Sequence, residues 1–332
     1  SPFIPPRFLA NPHLQTIISY YYPSSTPGFP VDYRTIPLPD GDQLSIVVTK
    51  PQDWTADKRT IFLIHGLTGS HLSPYMIRMT GWFYDRGYQV IRINLRGAGS
   101  GVGLAKYPAH AGRSEDIHQV VQYVKENLVL GKSSIMGFSM GGNIALKLAG
   151  EWGRNHPSEV DSIFAVCPPI NLFESIKSMD LPLNRLYERS FVQALVQQVE
   201  QLREYYPQMD LPNFPPNLRL MEFDEIYTAP YSGFSSVTEY YSTAQAEGYM
   251  PNISIPTLIL ASKDDPLVAW KPLQRFEDHP FIKIILTEKG GHLGFWKKSP
   301  PPFGYRWMDW VLVESVMALD HANEGPNKFE KE

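Results

Sequence analysis

The stretch Gly137-Phe138-Ser139-Met140-Gly141 follows a short apolar run, Ser133-Ser134-Ile135-Met136, and precedes Asn143 to Ala149, which is rich in helix formers. A serine on a sharp strand-to-helix turn is a nucleophile held clear of the sheet. Small residues two before and two after it let the backbone cross without collision. The same turn leaves the Met140 amide N–H, at the start of a helix, free to bind a developing oxyanion. Ser139 is therefore the candidate nucleophile and Met140 a candidate oxyanion donor. The five-residue pattern alone is common, so it counts only together with partners.

A serine hydroxyl needs a base, and the base needs a group that fixes its tautomer and stabilises its charge. The apolar segment Pro256-Thr257-Leu258-Ile259-Leu260 reads as a buried strand. It runs into Ala261-Ser262-Lys263-Asp264-Asp265-Pro266-Leu267-Val268. Two carboxylates thus stand just beyond the carboxyl end of a strand, where open parallel sheets build their sites. Ile282 to Leu286 reads as a further strand, and Glu288-Lys289-Gly290-Gly291-His292-Leu293-Gly294-Phe295 sets a histidine in a glycine-flanked loop before the last helix. Ser139, a carboxylate and His292 supply nucleophile, acid and base in that order. His13, His71, His110, His118, His156, His279 and His321 lack this order or setting and read as surface or packing residues. An earlier strand, Ile61 to Ile64, leads into His65-Gly66-Leu67-Thr68-Gly69.

This order of motifs resembles the α/β-hydrolase fold, and within it the YheT-like subfamily, related to eukaryotic ABHD-type esterases. Further segments carry the resemblance: Asn11-Pro12-His13-Leu14-Gln15-Thr16, Arg96-Gly97 with Tyr107 and His110-Ala111-Gly112, Thr228-Ala229-Pro230-Tyr231-Ser232-Gly233-Phe234, and Tyr240-Tyr241. With the motifs above they span most of the chain. The superfamily's strand-end pattern places the acid third after a small residue and before Pro-apolar-Val. Ser262 takes the small place, so Asp265 is the expected acid, and Asp264 is expected to cap or brace the loop. The His-Gly pattern common to these hydrolases makes the Leu67 amide the second expected oxyanion donor and His65 a loop organiser. The chain departs from the subfamily at Ala98, where a cysteine often stands, and at Pro108-Ala109, which separate Tyr107 from His110. Neither departure touches the triad. The resemblance implies hydrolysis of short- to medium-chain acyl esters by a serine esterase without cofactor or metal. An acyltransferase with the same acyl-enzyme and a non-catalytic binding protein of the same fold are the alternatives.

The elements that must position these groups follow from periodicity. Arg34 to Leu38 and Leu44 to Thr49 read as a strand pair around Asp40-Gly41. Strand-helix alternation then runs through Ile61 to Ile64, a helix near Tyr75 to Arg86, Gln89 to Ile93, a helix near Ser114 to Asn127, the Ser139 turn with its strand and helix, and Ser162 to Val166. This predicts an α/β architecture: a mostly parallel sheet with helices on both faces. From about Asn171 to Ile253 the alternation stops, although Tyr187 to Tyr205 is helical in pattern. It resumes with Thr257 to Leu260, a helix near Trp270 to Glu277, Ile282 to Leu286 and a final helix near Tyr305 to Ala322. The expected layout is an irregular arm over 1–30 packing on the core, a core over 31–170, an inserted helical cap over 171–255 that shapes the acyl pocket, the rest of the core over 256–322, and a frayed polar tail over 323–332.

Length and charge are consistent with this. A chain of 332 residues that is 43% hydrophobic can bury the large core such a sheet requires. Its net charge is −4 with both signs interspersed, so no basic stripe argues for nucleic acid or an anionic membrane. The longest apolar runs fall far below the roughly 18 residues of a membrane span, and residues 1–30 carry no signal-peptide core. The lone cysteine, Cys167, forms no internal disulfide and reads as a buried strand residue, which fits a reducing cytoplasm. Gly97-Ala98-Gly99-Ser100-Gly101 lacks the spacing and lysine of a phosphate loop and reads as a loop beside the site. Asp116 and His118 have no second cluster at ligand spacing and read as a helix face, not a metal site. The expected partner is a small-molecule ester, and the sequence specifies no oligomeric state.

Overall fold

The computed structural model describes residues 3–21 and 28–323. Among them, eight strands form one sheet: β1 (Asp32–Pro37), β2 (Gln43–Thr49), β3 (Thr60–Ile64), β4 (Gln89–Asn94), β5 (Ser133–Phe138), β6 (Val160–Val166), β7 (Thr257–Ser262) and β8 (Ile282–Thr287). Their spatial order is β1-β2-β4-β3-β5-β6-β7-β8. The β1–β2 and β2–β4 pairs are antiparallel and every other pair is parallel. The helices are α1 (Pro12–Tyr21), α2 (Pro74–Tyr84), α3 (Ser114–Asn127), α4 (Met140–Trp152), α5 (Leu172–Ser178), α6 (Arg185–Tyr205), α7 (Leu220–Phe223), α8 (Ala229–Tyr231), α9 (Val237–Ala244) and α10 (Trp307–Asn323).

The period of two along each strand sorts the core into two layers. On β3, Phe62 and Ile64 face one layer with Ile117, Val120 and Val124 of α3 and Ile144 and Leu148 of α4. Ile61 and Leu63 face the other, with Met76, Met79 and Phe83 of α2 and Leu312 and Val316 of α10. Central strands covered on both faces have no solvent side, which is why β3 and β5 are buried at every residue.

Two local expectations are corrected. The segment 1–30 is not irregular throughout, because Pro12–Tyr21 forms α1. Asn11 Oδ1 accepts the N–H groups of His13 (2.9 Å) and Leu14 (3.2 Å), and Pro12 occupies the first helical position. An Asn cap followed by proline is a helix-start signal that composition obscured. The helix expected near Trp270 to Glu277 is a 3₁₀ helix, Lys271–Phe276, with Pro272 in its first turn. Residues 1–2 and 22–27 of the arm, and the tail from 324 onward, lie outside the described residues.

Between β6 and β7 the chain runs through α5 to α9. Val192, Val199, Leu218, Phe223 and Tyr227 form a cluster of their own. Ala229, Val237, Tyr240, Tyr241 and Ala244 join the main core instead. Between α7 and α8, residues Asp224–Thr228 make one π turn in which Ala229 N–H reaches Asp224 C=O. Pro230 brings no N–H to the turn that follows.

Arg96, two residues beyond β4, ties the antiparallel edge to α3. Its guanidinium binds Asp116 through two hydrogen bonds (2.7 and 2.6 Å) and reaches Asp40 (2.6 Å) and Asp42 (2.8 Å). Asp116 thus belongs to a buried ion network, consistent with its reading as part of a packed helix face. Removing the cation leaves the buried Asp116 carboxylate without a partner and Asp42 with backbone donors only. Arg96→Met is expected to lower unfolding stability by about 3–5 kcal/mol, measured by urea denaturation at pH 7.

Candidate active site

Ser139 stands between β5 and α4 with φ 52° and ψ −122°, a backbone conformation that L-residues rarely adopt. The crossing is possible only because its neighbours lack side chains. A Cβ on Gly137 would lie 2.1 Å from Gly141 O, and one on Gly141 would lie 2.5 Å from Ile64 O. Gly66 plays the same part from the facing loop, since a Cβ there would meet Ser139 Cβ at 3.0 Å and Phe138 O at 3.3 Å.

The two carboxylates after β7 have different jobs. Asp265 Oδ1 accepts the N–H groups of Leu267 (2.8 Å) and Val268 (3.0 Å), which fixes the carboxylate. Its Oδ2 lies 2.8 Å from His292 Nδ1. Asp264 Oδ1 instead accepts Gly291 N–H at 2.9 Å and braces the loop that carries the histidine. On the far side of the imidazole, His292 Nε2 lies 3.0 Å from Ser139 Oγ. Three residues from widely separated parts of the chain therefore form one hydrogen-bonded line. With Asp265 taking the Nδ1 hydrogen, Nε2 is the nitrogen that accepts from the serine hydroxyl.

Helix α1 holds the histidine loop in place, a role the sequence did not suggest. Thr16 Oγ1 accepts His292 N–H (2.9 Å), Gln15 Oε1 accepts Trp296 N–H (2.7 Å), and Ser19 Oγ donates to Gly294 O (3.2 Å). The available signal was the run of polar residues Gln15, Thr16 and Ser19, of which Gln15 and Ser19 are buried, on one side of an otherwise apolar helix.

Cys167 lies just past the end of β6 with φ 47° and is fully buried. Its Sγ, an Asp265 oxygen and a His292 nitrogen lie within 4.8 Å of one another, a grouping able in principle to ligate a metal. Burial, and then the adjacent Asp265 carboxylate, push the thiol well above its usual range. A metal would require the thiolate and would have to break the Asp265–His292 hydrogen bond. The thiol is in this state a neutral neighbour of Asp265.

The oxyanion candidates sit beside the serine. Leu67 and Met140 line the same cavity as Ser139 and His292, and neither N–H has a hydrogen-bond partner among the described residues. The loop bearing Leu67 is held by Gly66 N–H donating to Tyr75 Oη (2.9 Å). It is held also by His65, whose Nε2 accepts Leu95 N–H (3.1 Å) while Nδ1 donates to Gly66 O (2.8 Å). Burial depresses the His65 pKa to about 4, so it remains a neutral brace. The cavity has a volume of about 180 Å³ and is walled largely by apolar side chains, with Phe191 and Leu195 from α6 and Ala109 and Leu267 from the core. Gly97 and Ala98 also line it, as a loop beside the site would.

Comparison with known proteins places these observations in a family. A model described as "alpha/beta hydrolase fold" matches residues 59–299, more than half of the chain. The chain belongs to the α/β-hydrolase family. It is 28% identical over 297 residues to the YheT protein of Escherichia coli (strain K12), covering 88% of this chain and 86% of that one. It is 26% identical over 351 residues to human phospholipase ABHD3, covering 96% and 83% respectively. The solved esterase Pf2001 of Pyrococcus furiosus superposes with a TM-score of 0.58 at 18% identity, over 87% of this chain and 90% of that chain, a likeness of fold. No helix among the described residues is long and apolar enough to cross a membrane.

Two outcomes follow from this geometry. Gly66→Ala is expected to slow labelling of Ser139 by a fluorophosphonate about tenfold or more, followed by intact-mass spectrometry, because the added methyl displaces the candidate serine. For His65, the folded pKa of about 4 lies below the ordinary 6.5, so the unfolded chain binds the proton more tightly between these values. Its contribution to stability is complete above about pH 6.5 and is lost as pH falls toward 4, on the order of 3 kcal/mol. Urea denaturation across this range should show a shallower acid loss for His65→Gln.

Proposed function

We propose that this protein hydrolyses carboxylic esters of short to medium acyl chains through a covalent acyl-enzyme on Ser139, with Asp265 and His292 completing the triad. The observation that carries this reading is the hydrogen-bonded line from Asp265 through His292 to Ser139, at 2.8 and 3.0 Å, opening into a mostly apolar cavity. His292 Nε2 takes the Ser139 proton as Oγ attacks the ester carbonyl. The Leu67 and Met140 N–H groups receive the oxyanion, and the imidazolium returns its proton to the leaving alcohol. Water activated by the same nitrogen then attacks the acyl group and frees the acid. Asp265 keeps the imidazole in the productive tautomer and stabilises its charged form.

Residues 171–255 act in this proposal as a cap. Phe191 and Leu195 add apolar surface to the cavity that Ser139 lines, which supports water exclusion and a stronger oxyanion interaction. Membership of the α/β-hydrolase family and the esterase and phospholipase names of its relatives and structural neighbour support ester hydrolysis.

The test is steady-state hydrolysis of p-nitrophenyl esters from acetyl to palmitoyl. Turnover is expected to peak at one chain length and to vanish in Ser139→Ala and His292→Ala with unchanged circular dichroism. Asp265→Asn is expected to lower kcat about 10⁴-fold through the wrong tautomer, whereas Asp264→Asn should cost under about tenfold. Equal activity of native and Ser139→Ala protein at every length would overturn the proposal.

A further inference from the structure

The cavity lining includes polar groups that the reaction proposed above does not use, among them His110, Asp224 and Tyr227. His110, only 6% exposed, lines the cavity. Its Nδ1 accepts Gly112 N–H at 3.1 Å, which leaves the ring hydrogen on Nε2, and no acceptor for it is found among the described residues. Burial, then the field of Arg113, Arg96 and Lys147, holds its pKa well below the ordinary value, so the ring is a neutral donor. Phe234 and Tyr240 pack edge-on against it, with ring centroids 5.3 and 5.4 Å away, and fix its plane.

The π turn supplies the rest. Asp224, 8% exposed, also lines the cavity, and its Oδ2 accepts the Tyr241 hydroxyl at 2.8 Å. Tyr227, 5% exposed, lines the same cavity, and its hydroxyl has no partner among the described residues. A π turn widens a helix by one residue and commonly marks a functional position. Here it brings Asp224, Tyr227 and Thr228 to one cavity.

A plain hydrocarbon filling this part of the cavity would leave the His110 Nε2–H and the Tyr227 hydroxyl unpaired, which is costly. The His110 ring is neutral and burial raises the Tyr227 phenol above its ordinary range, so the unpaired groups carry no charge for a carboxylate, phosphate or ammonium to neutralise. A neutral hydroxyl, which both donates and accepts, answers the whole set. We propose that His110, Asp224 and Tyr227 form a hydroxyl-binding subsite, and that the esters this protein processes best carry a free hydroxyl in the half of the molecule buried there. The inference deepens the ester-hydrolase reading and rests on it for the identity of the ligand as an ester.

The test uses three neutral probes: ethyl hexanoate, ethyl 6-hydroxyhexanoate and 2-hydroxyethyl hexanoate. Each is titrated calorimetrically into Ser139→Ala protein, and hexanoate or hydroxyhexanoate release is measured with the native chain. One hydroxyl probe is expected to bind at least about tenfold more tightly than ethyl hexanoate. Preference for the 6-hydroxy ester assigns the subsite to the acyl half, and preference for the hydroxyethyl ester assigns it to the alcohol half. The preference should fall toward unity in Tyr227→Phe, which removes one hydroxyl and no packing, and in His110→Phe. Equal binding of all three probes, or a preference that survives Tyr227→Phe and a folded His110→Phe, overturns the subsite. Preferential binding without Ser139-dependent release would keep the subsite and sink ester hydrolysis. Release at equal rates from all three would do the reverse.

Discussion

The backbone at Ser139 is the constraint on which the rest depends. A non-glycine residue at positive φ costs on the order of 1–3 kcal/mol and persists only where its surroundings over-determine it. Here β5 is fully buried before the turn and α4 is buried along nearly its whole length after it. The two glycines remove the atoms that would collide, and Asn143 in the first turn of α4 bonds Ala111 O, Ala244 O and Ala246 N–H. Neither flank can relax, so the serine is presented at the carboxyl edge of the sheet.

Everything else at the site is brought to that fixed point by hydrogen bonds from outside its own element. Asp265 is held by two backbone amides, the histidine loop by Asp264 and by Thr16, Gln15 and Ser19 of α1, and the Leu67 loop by His65 and Tyr75. Such supporting partners matter because an imidazole between a carboxylate and a hydroxyl works only within a few tenths of an ångström and one tautomer. The N-terminal helix is thereby part of the proposed catalytic apparatus, although it contributes no atom to the cavity lining.

The cavity combines two environments. Near the serine it is apolar with unpaired amides, which favours charge that develops only during reaction. At His110 and Asp224 it is polar and buried, and burial alone pushes the Asp224 carboxyl up to about 6 despite its Thr228 and Tyr241 partners. A low-dielectric interior strengthens a satisfied hydrogen bond and penalises an unsatisfied one, so the first environment is the one proposed for chemistry and the second the one proposed for selection.

Local chemistry determined much of this from the sequence. Glycines at 137 and 141, a serine between them, carboxylates past one apolar strand and a histidine past the next mark strand ends, because only there do such residues recur after buried runs. The same logic gave the strands and most helices, whose periodicity is imposed by burial on one face or two. It did not separate Asp264 from Asp265 without the superfamily pattern. Adjacent residues on a loop differ by orientation, and orientation is set by Leu267, Val268 and Gly291 amides that belong to the folded loop. Nor did it give α1's grip on the histidine loop, the Cys167 thiol behind the acid, or the gathering of His110 with Asp224. Those relations join residues nearly a hundred or more positions apart, and packing of the whole chain decides them where no local periodicity does.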